Sequence, residues 1–408
     1  MVAEESFFRS LLRKKPIQVT ISFIIAGVVS AISAFSYAEM SSMIPIAGSA
    51  YTYALTTMGE LIGWIVGWDL MLEYLVGAST VAVGWSGYLA KAFKVFWGVT
   101  LNKATTQTPI EYIDDVFSIN KGVYINIPAI LILLIITTIL VIGIRESSWF
   151  NNVIVGTKLI VILFFIFGGI KYIDKSNYTP FIPPTKNGQF GGVGIIKGAQ
   201  KVFFAYIGFD AVSTAAQEAK NPQRDLPIGI CISLLVCTLL YIATVIVLCG
   251  VKKYTELNSQ APVPDALEGH PGVRWLQIII YIGAIAGLTS VLLIGLLSQP
   301  RLFMSMANDG MMPQAFARIH PRFKTPAFPT MLGGGICMVL SGFLPVDLLG
   351  DMTSVGTLLA FGFVNVAVII ARFTMPDQPR AIKVPFGPFV LPLLGTVISK
   401  TLKSSRIY

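Results

Sequence analysis

A few side chains in this sequence could do chemistry, and nearly all of them sit inside long apolar runs. Asp69 and Glu73, in Gly67-Trp-Asp-Leu-Met-Leu-Glu-Tyr74, are four residues apart and share one face of a helix. Either Glu73 faces the substrate cavity, or Asp69 lies near the headgroups and Glu73 only pairs a neighbouring lysine. Lys158, in Gly156-Thr-Lys-Leu-Ile160, lies about two turns into an apolar helix. It either snorkels outward on its long stem or is held inside, where a lysine can gain and lose a proton. Asp210 follows Gly208 by two residues in the run Val202-Phe-Phe-Ala-Tyr-Ile-Gly-Phe-Asp-Ala211. It either caps a restarted helix, since acids favour helix N-termini, or positions a ligand. Thr289 and Ser290 are adjacent hydroxyls in an apolar helix. They either bond back to their own helix or serve an ion or Lys158.

The elements that must position these groups are membrane helices. The chain has 408 residues, of which 54% are hydrophobic and 12% charged, with a mean hydropathy of +0.72; a soluble domain carries roughly 25% charge. This composition specifies an all-α, multi-pass integral membrane protein of about ten helices, placed by expectation in the plasma membrane. Spans of about 20 residues fall at residues 19–46, 59–93, 125–144, 152–170, 228–250, 273–306, 327–344 and 352–373. Residues 194–217 form a further span in preference to an amphipathic interfacial helix, which the shared face of Lys197 and Lys201 would also allow, and 386–399 form a short last one. The domain reading is a basic segment at 1–18, one transmembrane unit at 19–400 and a polar tail at 401–408. Asn221-Pro222, Asp225-Leu-Pro227 and Asn308-Asp-Gly310 punctuate the connections. The long polar connections after Phe93 and Ile170 read as tolerated loops.

An ionisable side chain at a helix centre costs about 3 kcal/mol on insertion scales, so each one retained there is a candidate functional group. Gly208 and Asp210 interrupt a run that a lipid-facing helix would keep unbroken. Backbone at membrane depth opens only where protein buries it or where it lines a cavity. An opened helix then offers carbonyls and half-helix ends to a small polar ligand, the arrangement of a secondary-transporter site near the midplane. The net charge of +9 is scattered over loops, which suits lipid headgroups rather than nucleic acid. Cys231, Cys237, Cys249 and Cys337 fall in apolar runs as packing thiols, and His270 and His320 form no metal set. No Gly-x-Ser-x-Gly, His-Glu-x-x-His, Walker loop or Cys-x-x-Cys occurs. Enzymatic work is therefore not expected, no cofactor is implied, and transport would be driven by a gradient.

Six segments in order resemble the amino acid, polyamine and organocation (APC) superfamily, in particular its cationic amino acid transporter branch. They are Tyr37-Ala-Glu-Met-Ser-Ser-Met-Ile-Pro-Ile-Ala-Gly-Ser-Ala-Tyr-Thr-Tyr53, the Gly67 to Tyr74 motif, Phe203-Phe-Ala-Tyr-Ile-Gly-Phe-Asp-Ala-Val-Ser-Thr214, Glu218-Ala-Lys-Asn-Pro-Gln-Arg-Asp-Leu-Pro227, Gln299-Pro-Arg-Leu-Phe303 and Asn308-Asp-Gly310. The resemblance implies two inverted five-helix repeats and an amino acid substrate moved by alternating access. It implies that carbonyls matching Phe203, Ala205 and Ile207 receive the substrate amino group beside Gly208, with Asp210 setting the break. It also implies that Lys158 stands at the coupling position and uses a proton gradient. The pattern departs in two respects: Lys15-Pro-Ile-Gln-Val19 runs directly into what resembles the family's second helix, and Thr401 to Tyr408 is polar where the family's last helix would stand. The expectation is that the first, glycine-rich broken helix and the last helix are missing, and the alternative function is a non-transporting protein that binds an amino acid or a partner.

Overall fold

The computed structural model describes residues 18–46, 48–113, 116–143, 148–178, 191–210, 212–213, 219–253, 261–385, 387 and 390–396. Residues 1–17 of the basic segment expected at 1–18, the tail at 401–408 and parts of the spans expected at 194–217 and 386–399 lie outside them. Ten helices carry the architecture among the described residues: α1 Gln18–Met43, α2 Ala50–Met58, α3 Glu60–Trp97, α4 Ile127–Ile142, α5 Ser148–Ile170, α6 Gly191–Val202, α7 Pro222–Val251, α8 Arg274–Asn308, α9 Ala327–Phe343 and α10 Val346–Thr374. Six of these elements are long and apolar enough to cross a bilayer, and the apolar α4 and α9 are shorter. The protein is an all-helical, multi-pass membrane protein.

Local sequence sets the helix ends. Asn126 accepts a hydrogen bond from the N–H of Ala129 at 3.3 Å, and Pro128 occupies the first turn of α4, where a missing N–H costs nothing. The same Asn126 oxygen accepts from Ser86 Oγ at 2.6 Å, tying α4 to α3. At the start of α7, Asp225 Oδ2 accepts from the N–H of Asn221 at 3.1 Å. The run expected at 19–46 stops at Met43 and resumes at Ala50, with Ser49 at φ 55° between the two helices. The connection after α3 is more ordered than a tolerated loop. It folds into a two-stranded antiparallel hairpin, β1 Ile110–Ile113 against β2 Val116–Ile119.

The long helix α3 lies at the centre, packed on α8, α10, α2 and α9, while α1 lies along α7 and α6. Close approach is possible where side chains vanish: a Cβ on Gly333 of α9 would fall 2.1 Å from Gln299 Nε2 of α8. The helix α5 is the peripheral one, with only 17% of its apolar window buried. That exposure leaves one of its faces to lipid and the other to α7 and α8.

The chain opens after α6, which ends at Val202: a short 3₁₀ turn follows over Phe203–Tyr206, Ile207 is extended, and Gly208 takes φ +118°. Only glycine adopts that conformation without strain.

Candidate functional site

Most of the opened segment is buried in protein, while Ile207 is half-buried and Gly208 itself is exposed with open space beside it. Phe203 is fully buried, as are Tyr206 and Asp210 to within a few per cent. Around it stands an aromatic cluster in which Tyr37 meets Phe209 at 5.6 Å and Phe361 at 5.5 Å, while Phe203 meets Phe361 at 5.4 Å. Edge-to-face pairs of this kind contribute about 0.5–1.5 kcal/mol each beyond their burial. They fix the irregular backbone in one shape.

Asp210 holds the turn. Its Oδ1 accepts from the N–H of Gly208 at 3.0 Å and its Oδ2 from Tyr74 at 3.4 Å. Its carbonyl accepts from the hydroxyls of Ser213 at 2.5 Å and Ser49 at 3.4 Å. The carboxylate thus binds backward onto the break. Glu73 of α3 is buried at 2% exposure, and neither of its oxygens makes a geometrically sound hydrogen bond among the described residues. It lies within electrostatic reach of Asp210 and Asp69, with Thr357 of α10 beside it. The Tyr37 hydroxyl, fully buried and also without a partner among the described residues, faces the same group. Glu73 and Asp210 therefore stand together at the break, and Asp69 lies one turn along α3 from Glu73, within its electrostatic reach.

Lys158 turns inward. Its Nζ donates to Ser290 Oγ of α8 at 3.1 Å. The neighbouring hydroxyls divide the two roles open to them: Thr289 bonds back to the Ile285 carbonyl at 2.8 Å and accepts from Trp85 Nε1 at 3.0 Å, while Ser290 serves the lysine.

A cavity of about 310 Å³ lies between α5, α7 and α8. Lys158 is the one predicted site residue that lines it; Phe203, Ala205, Ile207, Gly208, Glu73 and Asp210 do not. Lys158 and the acids at the break therefore occupy separate places. The link between them is Tyr241 of α7, whose ring lines the cavity and whose hydroxyl donates to the Ala205 carbonyl at 2.9 Å. One of the carbonyls expected to meet a substrate is thus already engaged. Tyr206 similarly donates to the Phe23 carbonyl at 2.8 Å.

A profile of the amino acid permease family matches residues 5–399. The chain belongs to the amino acid permease family. This family member is 44% identical over 378 residues to a methylthioribose transporter of Bacillus subtilis, covering 93% of the chain and 78% of the relative. It is 41% identical over 375 residues to a branched-chain amino acid permease of the same organism, covering 91% and 77%. A vacuolar cationic amino acid transporter of Arabidopsis thaliana is 40% identical over 359 residues, covering 88% of the chain and 58% of the relative. The permease is a transporter-type protein and not an enzyme.

Two groups escaped the sequence reading. Tyr241 carried no signal, because tyrosines are common in such helices. Glu39 did carry one: it is an acid inside the apolar α1, open to the same insertion-cost argument as Glu73. It is buried and accepts from Arg372 Nε at 2.5 Å, Arg372 Nη2 at 2.6 Å and the N–H of Val384 at 2.7 Å, with Arg380 Nε at 3.2 Å.

Proposed function

We infer that the protein carries amino acids across the membrane by secondary active transport, with access alternating around the break at Gly208 and with a proton moving on and off Lys158. The observation that carries this reading is the placement of Lys158: a lysine amine bonded to Ser290 inside the helix bundle, one aromatic ring away from an opened backbone. A lysine in that position can exchange a proton while helices rearrange around it. The break supplies the polar half. The carbonyls of Phe203, Ala205 and Ile207 suit an ammonium group, and Glu73 with Asp210 supplies negative charge beside them. A substrate ammonium would take the Ala205 carbonyl by displacing the Tyr241 hydroxyl, which loosens α7 from the break and couples occupancy to helix movement. The names of the relatives point to amino acids as the substrate class, with methylthioribose as a chemically distant neighbour.

The test is uptake of radiolabelled amino acids into proteoliposomes with and without an inward proton gradient. Gradient-stimulated uptake is expected, and Lys158→Ala should make uptake insensitive to pH. Uptake whose pH dependence survives that substitution would remove Lys158 from the coupling step. Binding without flux would favour the non-transporting reading.

A further inference from the structure

The cavity between α5, α7 and α8 has properties that the break does not share. Its walls are almost wholly apolar, including Phe23, Leu159, Ile162, Leu240, Ala284 and Leu288. Two polar groups in it are incompletely satisfied. Lys158 has three N–H donors, of which Ser290 takes one, and it pairs with no carboxylate among the described residues. The Thr244 hydroxyl, on a side chain 8% exposed, has no hydrogen-bond partner among the described residues. A cavity of this volume, mostly apolar with a few polar groups to fix orientation, is the usual form of a small-molecule site.

We propose that this cavity binds an aliphatic monocarboxylate, its carboxylate on Lys158 and its chain along the apolar walls. Charge decides the head: an ammonium away from water without a counter-charge is unfavourable, and a carboxylate with a hydrogen bond offsets that cost. The lining decides the body. It contains no acid and so offers nothing to hold an α-ammonium group, which separates this ligand from an amino acid substrate at the break. Length follows from the helix: Lys158 to Phe165 spans about 10 Å at 1.5 Å per residue, the reach of a medium-chain carboxylate such as octanoate. The Val263 side chain, from the short helix Pro262–Ala266, also lines the cavity.

Equilibrium binding tests this without reference to transport, so its failure and a failure of the transport reading are distinguishable. Radiolabelled octanoate is titrated onto the full chain in nanodiscs, with empty nanodiscs subtracted. Saturable binding is expected, tightening about fourfold per methylene from butyrate to octanoate and levelling off at longer chains. Lys158→Gln should weaken octanoate at least tenfold, and Ala284→Phe should block it by filling the cavity. If either variant fails to fold, the wild-type protein still decides: octanol and octylamine should bind at least tenfold more weakly than octanoate. Equal binding of all three, an absence of saturable binding, or displacement of octanoate by leucine at equal concentration would overturn the proposal.

Discussion

Removing the Glu39 carboxylate should destabilise the protein by an amount the geometry bounds. Glu39 joins α1 to the end of α10 and the segment after it, through three donors, two from Arg372 and the N–H of Val384, with Arg380 Nε as an ion-pair partner at 3.2 Å. Breaking a buried ion pair by deleting one partner costs about 3–5 kcal/mol, because the other charge stays buried without compensation. Two features place Glu39→Ala at the lower end of that range. The Arg372 side chain is 18% exposed and can turn to water. Arg380 is only 4% exposed, but it keeps the carbonyls of Ala371 at 3.0 Å and Met375 at 2.7 Å. About 3 kcal/mol corresponds to a loss of roughly a hundredfold in the folded to unfolded ratio. Glu39→Gln keeps one acceptor oxygen but loses the charge, so its cost should be smaller, about 1.5–3 kcal/mol. The assay is denaturant-induced unfolding in detergent micelles for Glu39→Ala, Arg372→Met and the pair together. The effects should be strongly non-additive, since the partners share one interaction. An unchanged midpoint for Glu39→Ala, or simple addition in the double variant, would refute the clamp.

Asp265 anchors the short helix Pro262–Ala266: it forms an ion pair with Lys91 of α3 and accepts from Tyr281 of α8 at 2.8 Å. Asp265→Ala should cost about 1–3 kcal/mol locally and raise amide hydrogen exchange over residues 261–267 at least tenfold; unaltered exchange there would rule the anchor out. Tyr241→Phe removes one hydrogen bond, worth about 1 kcal/mol, and frees the Ala205 carbonyl. Apparent substrate affinity in uptake should rise severalfold if that carbonyl receives the substrate amine, and an unchanged KM would show that it does not.

Hydropathy and punctuation alone determined that the chain is a multi-pass helical bundle, because apolar runs of bilayer length have no other stable arrangement in lipid. They also marked the opening near Gly208, since a glycine and an acid inside one apolar run conflict with an unbroken lipid-facing helix. The separation of α1 from α2 and the hairpin Ile110–Ile113 with Val116–Ile119 depend on turn geometry that hydropathy does not register.

What faces what was decided only by the tertiary structure. Lys158 could have reached lipid headgroups; its bond to Ser290 joins residues 132 apart in the chain. Glu39 and Arg372 are 333 apart, and Tyr241 meets the Ala205 carbonyl across 36 residues. A sequence states which residues are costly to bury and so must find partners. Which partner each one finds depends on helix rotation and packing, set by contacts summed over the whole bundle, and no local window of sequence contains that sum.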